Sequence, residues 1–341
     1  MSSDSSTTDP ARREEEVRLE HLHGRLDRVL RGIENRMRDY EQDVKDQKTY
    51  MWEQRREMDF IEKIASRQSI EQSELSGQAL ANQRKRLLKL RKSAWFGRFD
   101  FATIDQSTAQ PFYIGVHHFH DDEAGRTLVY DWRAPVATLF YDFETGPGRY
   151  QAPNGAVDGQ ITLKRQFRIR YREIELMIDS AVNVVDDVLL ETLSEASDEH
   201  MREIVATIQR DQNAIIRDEE ARVLVIQGVA GSGKTSIALH RIAFLLYRFR
   251  DSLSSEDILI ISPNRVFSDY IANVLPELGE EEVREIGMED VADSLLESQY
   301  KFQSFFDQTE ALLSGKDEGL KERIVYKANP DFLRQLRRYA E

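Results

Sequence analysis

Gly228, Val229, Ala230, Gly231, Ser232, Gly233, Lys234 and Thr235 fill the pattern G-x-x-x-x-G-K-T without a gap. Residues of these types at this spacing bind phosphate. Glycines let successive backbone N–H groups turn inward around phosphate oxygens. A helix opening directly after the loop adds its N-terminal donors. Lys234 would stabilise the β- and γ-phosphates and Thr235 would ligate Mg²⁺. The expected ligand is therefore ATP or GTP with Mg²⁺. Hydrolysis asks for more: an acid pair at the end of another strand, to hold Mg²⁺ and position the attacking water. No Asp-Glu pair follows the apolar run "DILIISPN", and Asp317-Glu318 sit in the polar stretch "SGKDEGLKER". The catalytic set is incomplete within these residues, with Lys234 as its phosphate-stabilising member. Nucleotide binding with negligible turnover is the expectation.

The elements around the loop are legible as a series. "RVLVIQG" precedes it as an apolar, strand-like run, one helix of about 15 residues follows, and "DILIISPN" is a second strand-like run. Strand, glycine loop, helix, strand is the opening of a βαβ unit with a parallel sheet. The overall class is α/β, and residues 181–280 are expected to form the first part of a RecA-like motor domain. A helical phase from Asp186 to Arg217 leads into it, and a mainly helical stretch over 281–341 follows. Ahead of the motor, 95–180 is expected to be a small antiparallel β-rich module. Its strand phases are "FYIGVHHF", "RTLVYDW", "TLFYDF" and "ITLKRQFRI", separated by the turn-like "DDEAG", "ETGPG" and "APNGAVDG". His118 and His120 fall on one face of a strand, where a structural role is expected. "DWRAP" is expected to be the junction with the motor, with Trp132 buried and Asp131 and Arg133 either paired or facing it.

Residues 1–10 are a polar tail with the composition of disorder. Over 11–94 the pattern is that of an antiparallel coiled-coil arm. Leu19, Leu22, Leu26, Val29, Ile33, Met37, Tyr40 and Val44 form one apolar seam among Glu, Arg, Asp and Gln. The spacing predicts a first helix from about Glu14 to Tyr50, roughly 55 Å at about 1.5 Å per residue. A second is predicted from about Glu71 to Lys92, with Leu75, Ala79, Leu87 and Leu90 returning the seam. Between them "MWEQRREMDFIEK" sets Trp52, Met58 and Phe60 among Glu53, Glu57 and Asp59. This tip either staples the hairpin or touches a partner and its ions, and the exposed carboxylates are expected to matter little for folding.

Composition narrows the function classes. The 341 residues carry 47 Lys+Arg against 61 Asp+Glu, a formal net charge of -14, which does not suit a general nucleic-acid coat. The absence of cysteine excludes disulfides, thiolate catalysis and cysteine-held metals. The first residues have no apolar core of a signal peptide, and no apolar run reaches transmembrane length. A cytoplasmic protein without membrane association is expected.

"GVAGSGKTSIALHRIAFLLY" with "ILIISPNRVFSDYIANVLPELGE" resembles the superfamily 1 helicase core of the HelD family, and "WFGRFDF" and "VYDWRAPVATLFYDF" resemble that family's stretches ahead of the core. The resemblance implies a helicase-like ATPase that associates with bacterial RNA polymerase. It implies that the arm, 11–94, enters the polymerase secondary channel through a tip including Trp52, Glu53, Glu57, Asp59 and Phe60, and helps release polymerase from nucleic acid. It places Gln212 at the adenine-reading position, which favours ATP over GTP. Gly231, Gly233, Lys234 and Thr235 match the family's phosphate loop. Ser262, Pro263 and Asn264 match the next motor motif, which lies near single-stranded DNA or RNA in related helicases. The family's acid pair, arginine fingers and second motor domain match nothing in this chain. A superfamily 1 DNA repair helicase and a polymerase-binding adaptor that does not hydrolyse nucleotide are the alternative readings.

Overall fold

The computed structural model describes residues 9–54, 56, 58–179, 208–229, 231–262, 274–297, 299, 303, 305–315 and 319–340. They fall into two units. The first holds residues 1–258 and 270–283; the second holds 259–269 and 284–341.

The first unit begins with two helices, α1 (Pro10–Glu53) and α2 (Phe60–Lys92). Asp9 caps α1 by accepting from the Ala11 N–H at 3.1 Å, and Pro10 takes the first helical position, where its missing N–H costs nothing. At about 1.5 Å per residue α1 is about 66 Å long. The helices pack along Leu19, Leu22, Leu26, Leu30 and Ile33 of α1 and Leu80, Leu87 and Leu90 of α2. The return seam differs from its expected phase: Leu75 and Ala79 are exposed and Leu80 is buried, while on α1 Leu30 is buried and Val29 only half-buried. α2 also starts earlier than expected, at Phe60 and not at Glu71. Beyond Ile33 the apolar seam thins, and polar ties take over. Arg84 Nε donates to Glu34 at 3.1 Å, Ser73 Oγ to Asp43 at 3.0 Å and Lys48 Nζ to Glu74 at 2.7 Å.

At the tip, Asp59 is a structural residue, contrary to the expectation that the tip carboxylates are dispensable for folding. Its carboxylate accepts from the Glu62 N–H at 2.8 Å while its own N–H donates to Glu62 at 3.1 Å, a reciprocal cap on α2. Asp59→Ala is expected to cost about 1 kcal/mol, read as a lowered denaturant midpoint. An unchanged midpoint would remove the cap's role. Met58 is buried, and Glu57 lies outside the described residues.

The base of the arm is built into a seven-stranded sheet: β1 (Gly97–Thr103), β2 (Gln110–Gly115), β3 (Phe119–Asp121), β4 (Arg126–Asp131), β5 (Gly146–Ala152), β6 (Gly155–Arg170) and β7 (Glu173–Asp179). The order is β3-β4-β2-β1-β6-β5, with β7 also on β6. The sheet is mixed and not purely antiparallel: β2 and β4 run parallel, Ile114 opposite Tyr130. β3 forms a hairpin with β4 and occupies the edge, so the sheet continues from β4 onto β2. β6 is the spine. Its first half pairs with β5, its last half with β7, and its middle with β1. The α1/α2 seam runs without a break into Trp95, Tyr113, Val129, Phe167 and Ile174. Trp95 meets Tyr113 edge-on at 4.7 Å and Phe167 at 6.1 Å, the geometry aromatic quadrupoles favour. The run "TLFYDF", expected to be a strand, is instead a short helix, α3 (Thr138–Asp142), continuing the helical turn that Pro135 opens, and it packs Phe140 against Phe96 at 6.0 Å.

The same unit contains α4 (Arg210–Ile216) and α5 (Lys234–Arg248). Most of the helical phase expected from Asp186 lies outside the described residues. The expected strand "RVLVIQG" is not a strand. Residues 221–229 are irregular, with Val223 83% and Val225 75% exposed. A strand needs a ladder partner, and this run has none among the described residues.

The second unit pairs β8 (Leu259–Ser262) in parallel with β9 (Arg284–Gly287), a strand the sequence reading did not anticipate. Among the described residues four helices follow: α6 (Met288–Leu295), α7 (Phe305–Ser314), α8 (Leu320–Lys327) and α9 (Pro330–Ala340). No helix among the described residues is long and apolar enough to cross a membrane.

Candidate functional site: the glycine loop and its mount

The loop is shaped by two glycines in the left-handed region, Gly231 at φ 83° and Gly233 at φ 77°. L side chains rarely adopt this conformation, which explains glycine at both positions. Gly233 immediately precedes α5, so the first N–H groups of a 15-residue helix open onto the loop without helical partners. Ser232 N–H donates to Val229 O at 3.3 Å and tightens the turn. A Cβ on Gly228 would stand 2.6 Å from Ser232 Oγ, so a larger residue there would require that side chain to move. Ala230 lies outside the described residues. Lys234 Nζ donates to Gly228 O at 3.0 Å and Val229 O at 2.7 Å, so the ammonium lies over the loop's own carbonyls. Thr235 is half-buried on the first turn of α5. Oriented N–H groups, a helix N-terminus and a lysine on one short turn are a donor set that fits phosphate oxygens.

Gln212 lies on α4. Its Oε1 accepts from the Gln209 N–H at 3.2 Å and caps that helix. α4 and α5 pack together, and Arg241 donates to Ile215 O at 2.7 Å. Gln212 and the loop therefore ride on one pair of helices.

This pair is fastened to the sheet through "DWRAP". Asp131 ends β4, and the chain turns there, with the Ala134 N–H donating to Asp131 O at 3.0 Å. The turn brings together two residues that a straight strand would keep apart. Arg133 grips Asp131 with two bonds of 2.8 and 2.7 Å. The same guanidinium binds Glu280 and lies 4.7 Å from the Tyr247 ring on α5. Arg133 is thus both paired and turned toward α5. Arg217, at the end of α4, donates to Trp132 O at 2.7 Å and lies over Phe244 of α5. Asn213 donates to Asp142 at 2.7 Å. The sequence reading missed Arg217 and Asn213. The one available signal was their four-residue spacing on a short helix, and Arg217 Nε does donate to Asn213 Oδ1 at 2.9 Å.

Trp132 is fully buried and meets His240 of α5 edge-on at 5.5 Å. His240 Nδ1–H donates to Ser236 O at 2.6 Å, which leaves Nε2 as a buried acceptor without a partner. Burial pushes the imidazole pKa down to about 4. The unfolded chain therefore binds this proton more readily than the folded one below about pH 6.5. The contribution is complete above that pH and is lost as pH falls toward 4. At pH 5 the loss is about 2 kcal/mol. His240→Leu should flatten unfolding free energy against pH between 6.5 and 4, and a profile as steep as wild type would show that another group carries it.

The remaining sequence-derived positions lie elsewhere. Ser262 is buried at the end of β8 in the second unit, opposite Gly287; Pro263 and Asn264 lie outside the described residues. At the arm tip Glu53 is exposed, as are Trp52 at 69% and Phe60 at 77%. His118 stacks on His120 at 6.5 Å, and among the described residues no group of three or more His, Asp or Glu is placed to hold a metal ion.

A family model described as DNA helicase IV HelD, N-terminal domain, matches residues 12–221, more than half of the chain. The match takes in the arm, the sheet and α4, and ends seven residues before Gly228. No curated protein matches the chain. The two packed helices, the mixed sheet and the extent of the match place this chain in the HelD N-terminal domain family.

Proposed function

We propose that the chain works as part of an ATP-driven, helicase-like factor that binds bacterial RNA polymerase through its helical arm and helps release it from nucleic acid. The carrying observation is a phosphate-type loop on α5, with α5 fastened by Arg133 and Arg217 to a module of the HelD family. In this reading the loop and α5 begin a RecA-like motor domain. The loop N–H groups and Lys234 bind the nucleotide phosphates, Thr235 holds Mg²⁺, and Gln212 turns its free amide end to adenine. The arm is the polymerase-binding element. Trp52 and Phe60 present aromatic surface at its far end, as an inserted wedge requires. Ser262, Pro263 and Asn264 belong to the nucleic-acid side of the motor.

The test must spare the base of the arm. Removing the whole arm would strip Leu19, Leu22 and Leu90 from a core shared with the sheet. Trp52→Glu with Phe60→Glu changes only exposed tip residues. Capture of polymerase core enzyme is expected to fall by about tenfold or more with the thermal midpoint unchanged. Full capture by the folded variant would remove the tip from the interface. A second reading, a DNA helicase proper, is favoured by the name of the matching family, DNA helicase IV HelD. ATP-dependent strand separation without polymerase would establish it.

A further inference from the structure

A cleft of about 630 Å³ lies within the first unit, between the base of the arm, the β3–β4 edge of the sheet and the end of α5. Its size is in the range of small-ligand sites. The ionic pairing of its walls is uneven. Asp121 and Glu123 are taken by Arg25, and Asp131 and Glu280 by Arg133. Arg86 from α2 and Arg250 beyond α5 also line the cleft, and neither has an acidic partner among the described residues. Asp122 is the lining carboxylate without a basic partner there. The stacked pair His118 and His120 completes that wall, with His120 Nδ1 at 3.2 Å from Thr127 Oγ1. Burial lowers the pKa of His118; the nearby Asp131 opposes this, while His120 and Arg250 act in the same direction as burial.

A chain of net charge -14 has acids to spare for its arginines. Here it leaves two guanidinium groups, one from the arm and one from beyond α5, in the lining of one concave site that also holds two imidazoles. We propose that this cleft binds a small phosphorylated anion of pyrophosphate size, held by Arg86 and Arg250 and hydrogen-bonded by His118 and His120. Guanidinium groups suit phosphate because their N–H fork matches its oxygens. The ligand would tie α2 of the arm to the end of the helix that carries the glycine loop. It occupies a different site from the loop, so it stands or falls apart from the nucleotide reading.

Pyrophosphate is the probe, titrated by calorimetry into the full chain. Lys234→Ala removes the loop's cation and is expected to leave one pyrophosphate site. Adding Arg86→Ala and Arg250→Ala is expected to weaken that site by about tenfold or more. Both arginines are exposed and have no ion pair among the described residues, so an unchanged thermal midpoint is expected, and Arg86→Lys with Arg250→Lys should restore part of the affinity. Loss of all pyrophosphate binding on Lys234→Ala alone overturns the cleft and leaves the loop assignment standing. Binding insensitive to Lys234→Ala but lost with the two arginines supports the cleft and counts against the loop. A short oligothymidylate that binds more tightly than pyrophosphate, and is lost in the same variant, would overturn the small-anion assignment in favour of a nucleic-acid backbone.

Discussion

Glu15→Ala is expected to lower the unfolding free energy by about 3–5 kcal/mol, toward the lower end. Glu15 lies on α1 and is 0% exposed. It accepts from Arg98 at 2.6 Å, Arg165 at 2.9 Å and the Tyr113 hydroxyl at 2.9 Å. Arg98 stands on β1, Arg165 on β6 and Tyr113 on β2, so a single carboxylate joins the arm to three neighbouring strands. Removing it leaves two buried guanidinium groups short of an acceptor, and buried charge without compensation is costly. The lower end is favoured because each arginine keeps a second acid. Arg98 holds Asp100 at 2.7 and 2.8 Å, and Arg165 holds Asp179 at 2.5 and 3.1 Å. Tyr113 also stays a neutral donor, since burial raises its pKa far above the ordinary value. Glu15→Leu separates two explanations. It extends the apolar seam by one residue, so it would stabilise the fold if only hydrophobic burial mattered at this position. Chemical denaturation of both variants is the measurement. Glu15→Leu as stable as wild type would show that the ionic junction contributes little.

Lys234→Ala is expected to lower ATP·Mg²⁺ affinity by about a hundredfold, the scale of a charge-assisted contact worth up to about 3 kcal/mol. The lysine makes its bonds to Gly228 and Val229 of its own loop, so its loss should spare the fold. Its present partners are carbonyl oxygens, which phosphate oxygens replace as stronger, charged acceptors. Calorimetry with ATP and Mg²⁺, alongside a thermal midpoint, checks both halves. Unchanged affinity in a folded variant would count against the site. Hydrolysis by the unmodified chain is expected to be negligible, because no Asp-Glu pair follows the strand-like run "DILIISPN". Turnover near one per second would show that an unrecognised carboxylate serves.

Periodicity determined more of this protein than did any single residue. The seam Leu19, Leu22, Leu26 and Ile33 follows from three- and four-residue spacing, because an α-helix returns to the same face at those steps. The strand phases "FYIGVHHF", "RTLVYDW" and "ITLKRQFRI" were legible for the same kind of reason, whereas "TLFYDF" is helical and most of "APNGAVDG" is strand; the loop was legible too, its glycines required by local backbone geometry at Gly231 and Gly233. The start of α2 was not legible. The leucine spacing does not mark where the chain reverses, and Asp59 caps the helix there. Nor was the parallel pairing of β2 with β4, since strand order depends on which edges remain free once hairpins form. "RVLVIQG" has the composition of a strand but not the conformation, because a ladder needs a neighbour that no local pattern supplies. Glu15 lies between the two cases. It falls four residues before Leu19, on the seam's own phase, so the sequence placed an acid on a buried face. Only the tertiary structure, by bringing Arg98 and Arg165 in from strands more than 80 residues away, decided that a charge could remain there.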